Sequence, residues 1–138
     1  MALRGMETAY VRICQTEQTA LALAQHVSSH KNVVEVLHPA LPSFKFHELW
    51  KRLFKGSSGL FSLVMADEPE QDFADRFTRL ELLKIGASWG GTQSVLAPTV
   101  LSAERTIDKS YVGKKIVRIS VGLEASDDLI ADLDRLLA

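Results

Sequence analysis

A lone cation inside an apolar run is the first residue with evident chemical use. Arg118 stands in the stretch Lys115, Ile116, Val117, Arg118, Ile119, Ser120, Val121. A guanidinium in such a place lies on a solvated face or is buried with a partner. Its planar fork suits two-point binding of a carboxylate. The plainer alternatives are simple exposure or a structural pair with an acid such as Glu124. A second candidate is the run Ser88, Trp89, Gly90, Gly91. Two glycines after a tryptophan permit a tight backbone beside a large flat ring. N–H groups in such a turn can hold a carboxylate or phosphate. The same residues also read as an ordinary turn with Trp89 in the core.

Other groups are less suggestive. Gly56, Ser57, Ser58 and Gly59 lack the Gly-Lys-Ser/Thr ending of a phosphate loop. They also precede a strand, not a helix N-terminus. His26 and His30 are four apart on one predicted helix, which places them on one face. No acid at metalloprotease spacing accompanies them, so surface positions are expected and no metal site is assigned. Cys14, the single cysteine, permits neither an internal disulfide nor a cysteine-rich zinc site. A packed thiol in a reducing compartment fits it. Asp127, Asp128, Asp132 and Asp134 read together as a solvated helix face.

These residues need elements to position them. Residues 8–29 read as a helix, with Tyr10, Val11, Ile13, Cys14, Leu21, Ala24 and Val27 as its apolar stripe. Residues 33–37 are short and β-branched, a strand ended by Pro39 and Pro42. Ser43 is placed to cap a short helix reaching Phe54, with Phe46, Leu49, Trp50 and Phe54 as its apolar side. Residues 60–65 read as a strand buried on both faces. A helix is expected from 67–70 to about Leu83. Short strands are expected near 84–87 and 94–97, with 101–111 left open. Residues 115–121 alternate as a strand, with Ile116, Arg118 and Ser120 on one side and Val117, Ile119 and Val121 on the other. Ser126 caps a last helix whose stripe is Leu129, Ile130, Leu133, Leu136 and Leu137. About four short strands with long helices predict a two-layer α+β sandwich, a small sheet covered by helices.

Composition sets the outer bounds. The chain has 138 residues, the size of one ordinary domain. Apolar residues are 46% and charged residues 24%, which argues against disorder. Sixteen Lys and Arg against seventeen Asp and Glu leave a charge of −1, so there is no global attraction to nucleic acid or an anionic membrane. No apolar run is long enough to span a bilayer. A cytoplasmic protein with no membrane and no nucleic-acid partner is expected.

Six separated segments, in order, resemble one family. They are residues 36–43, with His38, Pro39, Pro42 and Ser43, and residues 47–52, with His47, Glu48, Trp50 and Arg52. Then come residues 54–62, with Gly56, Ser57, Ser58 and Gly59, and the run Ser88, Trp89, Gly90, Gly91. Residues 117–124, with Arg118, Gly122 and Glu124, and residues 127–133 complete the set. Their order and spacing are similar to the C-terminal part of the pyridoxal-phosphate (PLP) enzymes of cysteine and methionine metabolism, most of all the cystathionine β-lyases. The resemblance runs from Leu3, Arg4 and Gly5 to the end.

The resemblance implies a fold and a role. The fold is the C-terminal small domain of a fold-type I PLP enzyme, spanning 1–138, with 1–30 as a linking helix and a mainly antiparallel sheet. The activity is a carbon–sulfur lyase that converts cystathionine to homocysteine, pyruvate and ammonia. Arg118 matches the family arginine that clamps the substrate α-carboxylate, and Ser88 and Trp89 match the turn lining that pocket. The cofactor is PLP, but the aldimine lysine lies in a Ser-x-Thr-Lys context of a larger N-terminal domain. None of Lys31, Lys45, Lys51, Lys55, Lys84, Lys109, Lys114 and Lys115 has that context. No catalytic or cofactor-binding residue is therefore assigned to this chain, which is expected to be inactive alone. Ala87 stands where an aromatic residue is frequent in β-lyases, and Gln93 where Glu is usual. The expected partners are a small amino-acid substrate, the absent PLP-binding domain or a chain supplying it, and further copies in a homo-oligomer. The competing reading is a truncated, non-catalytic remnant that self-associates or binds a partner.

Overall fold

The structure is a computed structural model, and it describes residues 2–138. The chain runs α1 (Ala2–Glu7), α2 (Ala9–Val27), β1 (Val33–Leu37), α3 (His47–Leu53), β2 (Leu60–Met65) and α4 (Glu70–Arg76). A 3-10 turn (Phe77–Arg79) follows, then β3 (Lys84–Ile85), β4 (Val95–Val100), β5 (Lys115–Ser120) and α5 (Ser126–Leu137). The strands form one sheet in the order β1-β2-β5-β4-β3. All neighbours are antiparallel except β3 with β4. The α+β sandwich expected from periodicity is present, with five strands where about four were expected.

Strand alternation divides the sheet into two unlike faces. Phe61 and Leu96 both lie opposite Ile119, and Leu63 lies between Val36 and Val117. These residues form the core with Ala20, Leu23, Ala24 and Val27 of α2, Phe73 of α4, and Leu129, Leu133, Leu136 and Leu137 of α5. Removing this apolar surface from water is the main favourable term for folding. The other face carries Ser62, Arg118 and Ala97 in one transverse row. Residues 101–114 return toward its far end, where the Tyr111 hydroxyl donates to Glu35 at 3.2 Å. Helices α2, α4 and α5 pack on the first face; on the second, Val64, Ile116 and Ser120 are buried and Arg118 is half-buried.

Five local expectations are corrected. The first half of α2 packs only in part: Tyr10, Val11 and Ile13 are exposed, Ala9, Arg12, Cys14 and Thr16 are half-buried, and Thr8 separates it from α1. Ser43 caps nothing, because successive turns from His38 to His47 fill that stretch and α3 begins only at His47. Its apolar side, with Phe46, Leu49 and Phe54, faces solvent. The helix expected to reach Leu83 stops at the 3-10 turn ending at Arg79. The cause is Asp132, which is fully buried and not on a solvated face. Its carboxylate accepts the N–H groups of Glu81, Leu82 and Leu83 at 2.9, 3.0 and 2.7 Å. Those three amides are thereby diverted from helical bonding into an extended lead to β3. Finally, Ser126 is the first helical residue of α5, not its cap, and Ala125 occupies the cap position.

Candidate functional site

The site grows from the centre of β5. Arg118 emerges between two small neighbours, Ser62 on β2 and Ala97 on β4. Small residues on both flanks leave its side chain room to run toward the loop before β4. There its Nη2 donates to the carbonyl oxygens of Ala87 at 2.6 Å and Ser88 at 3.1 Å. The Trp89 ring lies 5.3 Å from the guanidinium carbon, within cation–π range. The structure therefore brings together all three residues singled out in the sequence, Arg118, Ser88 and Trp89. Two of the plainer alternatives fail. Trp89 is 62% exposed and is not a core residue. Glu124 is not the partner of Arg118, because it accepts the N–H and the hydroxyl of Ser94, both at 2.7 Å.

The loop is held by contacts that local sequence did not announce. The Gly90 N–H donates to the buried Ser120 Oγ at 3.1 Å. Ser94 Oγ accepts the Gly122 N–H at 2.7 Å while donating to Glu124. The Leu123 N–H donates to Thr92 O at 2.9 Å. Gly90 has φ of +74°, a left-handed conformation that glycine adopts without the Cβ penalty. Ser120 and Glu124 thus position the loop, though neither carries a motif that marks it for this task.

Electrostatically the site is a cation with spare capacity. Arg118 forms both of its hydrogen bonds through Nη2, and its Nε is buried without a partner. Nη1 forms no hydrogen bond either, so it is the donor left to meet a carboxylate. Below the Trp89 turn lies a cavity of about 290 Å³ walled by α2, the start of β2 and the end of β5.

The histidines are committed elsewhere. His26 Nε2 lies 2.7 Å from Asp134, and His30 Nδ1 accepts the Asn32 N–H. No group of His, Cys, Asp and Glu able to hold a metal occurs among the described residues. No helix among them is long and apolar enough to cross a membrane.

With this geometry in hand, comparison with known proteins is direct. The chain matches the family of Cys/Met metabolism PLP-dependent enzymes over residues 1–138. It belongs to that family. Against the cystathionine beta-lyase of Escherichia coli it is 39% identical over 95% of its length and 34% of the relative's. Against an L-alanine/L-glutamate racemase of Wolbachia pipientis it is also 39% identical, over 100% of its length and 35% of the relative's. A solved structure from Campylobacter jejuni, assigned as an O-acetylhomoserine (thiol)-lyase and carrying a pyridoxyl-lysine phosphate, superposes with a TM-score of 0.82 at 33% identity. That match covers 98% of this chain and 31% of the other. The chain spans about a third of the length of these relatives.

PLP is the cofactor of the family, but the residues around Arg118 do not fit it. The neighbours of Arg118 are the carbonyls of Ala87 and Ser88, the Trp89 ring, Ser62 and Ala97, with no lysine among them to bond the cofactor aldehyde and no carboxylate to pair with its ring nitrogen. Lys115, on the same strand as Arg118, is tied to Glu68 O and to the Glu70 carboxylate.

Proposed function

We propose that this chain is the substrate-carboxylate end of a PLP-dependent carbon–sulfur lyase acting on cystathionine and releasing homocysteine, pyruvate and ammonia. Residues 1–138 act as one C-terminal small domain, in which the helical stretch 1–30 links to the cofactor half. That half is supplied by the domain that makes up the rest of the relatives, in a cytoplasmic homo-oligomer. The observation that carries this reading is Arg118. It is fixed by two backbone carbonyls, backed by an exposed Trp89, unpaired with any acid of its own strand or loop, and left with a buried Nε donor. A rigid fork of this kind orients a substrate carboxylate, and holding a reactant in a productive geometry lowers the barrier that follows. Ser88 contributes its carbonyl to that rigidity, and Trp89 shields the cation from water.

The β-lyase choice rests on the Ser88 and Trp89 turn together with β-lyase relatives. A racemase and a thiol-lyase of comparable identity make the choice of reaction the point to test. The experiment replaces the corresponding third of the Escherichia coli cystathionine beta-lyase with this chain and measures pyruvate from cystathionine, homoserine-ester replacement, and alanine racemisation. Pyruvate release as the dominant activity supports the reading, and dominant racemisation or replacement refutes the β-lyase assignment. This chain alone, given PLP and cystathionine, is expected to release no pyruvate.

One observation favours a second reading, a self-associating or partner-binding module without catalysis. Phe46, Leu49, Leu53 and Phe54 form a contiguous exposed apolar side on α3. A joined enzyme that binds PLP yet turns over none of the three substrates would favour this alternative.

A further inference from the structure

The cavity beneath the Trp89 turn carries chemistry that the Arg118 clamp does not use. Its volume is about 290 Å³, and its walls are mostly apolar: Ala9 and Ile13 of α2, Leu60 of β2, Val121 and Leu123 beyond β5, and the Trp89 ring. Arg12 is the charged residue of the lining. Its Nη2 donates to Gly5 O at 2.7 Å, and its Nε is buried with no partner. Of the acids on nearby elements, Glu17 is committed to the Ser57 N–H at 2.7 Å and Glu124 to Ser94, while Glu7 at the end of α1 is exposed and forms no ion pair with Arg12. Arg118 does not line this cavity, and the two arginines are related only through Trp89.

We propose that this cavity binds a carboxylate carried on an apolar stem, with Arg12 as its counter-ion and the Trp89 ring as its apolar wall. The composition selects the ligand. Binding sites for small molecules are mainly apolar with a few placed polar groups. A guanidinium that lines an apolar cavity with no carboxylate partner calls for an anionic acceptor at its terminal nitrogens. One cation in an apolar enclosure matches a single negative charge. The same chemistry is offered by a free short-chain acid and by an acidic side chain between apolar residues of a protein segment.

The test is a titration of this chain, followed by the amide NMR signals of Ala9, Gly90, Gly91 and Leu123. The probes are 4-methylpentanoate, its uncharged counterpart 4-methylpentanol, and the peptide acetyl-Leu-Glu-Leu-amide. The expected result is saturable shifts at these four amides with at least one carboxylate. Affinity is expected to fall about 10-fold or more for the alcohol and for Arg12→Gln, the scale of a lost charged hydrogen bond. Arg12→Lys, which keeps the charge, is expected to fall between and serves if the glutamine variant does not fold. Arg118→Gln is expected to cost less affinity than Arg12→Gln, because Arg118 reaches the cavity only through the shared Trp89 ring. Tighter binding of the peptide assigns the occupant to a protein segment, and tighter binding of the free acid assigns it to a metabolite. Either outcome supports the carboxylate site. Equal binding of acid and alcohol, dependence on Arg118 instead of Arg12, or no shift at the four amides would overturn it.

Discussion

Replacing Asp132 by alanine is expected to be among the most damaging single changes, and its cost can be worked from the hydrogen bonds. The side chain is fully buried and accepts three consecutive backbone N–H groups at 2.7 to 3.0 Å, with Arg135 Nη1 at 3.2 Å. Asp132→Ala leaves three amides without an acceptor. A stranded buried donor costs about 1–3 kcal/mol; the Leu83 amide is buried and those of Glu81 and Leu82 partly so, and the change is expected to cost ~2 kcal/mol or more. That is a large share of the ~5–15 kcal/mol that holds an ordinary domain together. Asp132→Asn keeps an acceptor but turns an NH2 group toward one of the donors, so an intermediate loss is expected. The pH dependence follows from the same contacts. Burial pushes the carboxyl upward, but the N–H groups of Glu81, Leu83 and Leu82 outweigh it and hold its pKa below the ordinary 3.8. The unfolded chain therefore takes up the proton first as pH falls. The stabilisation is fully present above about pH 4 and is lost as pH drops through the depressed folded value. Urea unfolding of the wild type and both variants at pH 7 and pH 3 measures this. A loss below ~1 kcal/mol for Asp132→Ala at pH 7, less than a single stranded donor, would refute the reasoning.

Three further outcomes are expected. A methyl group on Gly59 would sit 2.8 Å from Val121 O and 2.9 Å from Thr16 Cβ, whereas one on Gly86 meets only Val95 at 3.5 Å. In urea unfolding, Gly59→Ala is expected to cost ~2 kcal/mol or more and Gly86→Ala less than ~1. His38 is fully buried, its Nδ1 accepts the Ala40 N–H, and burial lowers its pKa below 6.5 against a smaller opposing pull from Glu17. The unfolded state gains the proton first, so stability should fall as pH drops below about 6.5. His38→Gln should flatten that slope between pH 7 and pH 5.5, and an unchanged slope would count against a buried neutral imidazole. Arg76 grips Glu68 at 2.8 Å and the carbonyls of Leu136 and Ala138 at 3.0 Å. Arg76→Met strands a nearly buried carboxylate and is expected to lower the urea midpoint by the equivalent of ~3 kcal/mol. Adding Glu68→Gln should recover part of that loss.

Where apolar spacing determined an element, it was legible in advance. Residues 33–37, 60–65 and the stripe of α5 appear as read, because a β-branched run or a helical repeat with one buried face has few alternatives. Arg118 was visible as a cation breaking an apolar strand, and Trp89 as a ring beside two glycines. What escaped depended on distant partners. Asp132 reads as one of four helix acids, yet it is tied to residues some fifty positions earlier. Nothing local in Glu81, Leu82 or Leu83 forbids helix, so only that contact explains the early stop. Phe46, Leu49 and Phe54 beside α3 and Tyr10 and Val11 of α2 promised burial, but the described residues leave them exposed. Periodicity indicates which face is apolar, not what lies against it.

In the proposed reaction Arg118 holds the substrate carboxylate. The direct measurement is kcat/KM for cystathionine in the joined enzyme with Arg118, Arg118→Lys and Arg118→Ala. Loss of a buried charge-assisted pair predicts a fall of about 100-fold or more for Arg118→Ala, with lysine recovering only part of it because a point charge lacks the fork. An alanine variant with unchanged kcat/KM and unchanged PLP absorbance would contradict the claim and move the carboxylate site elsewhere.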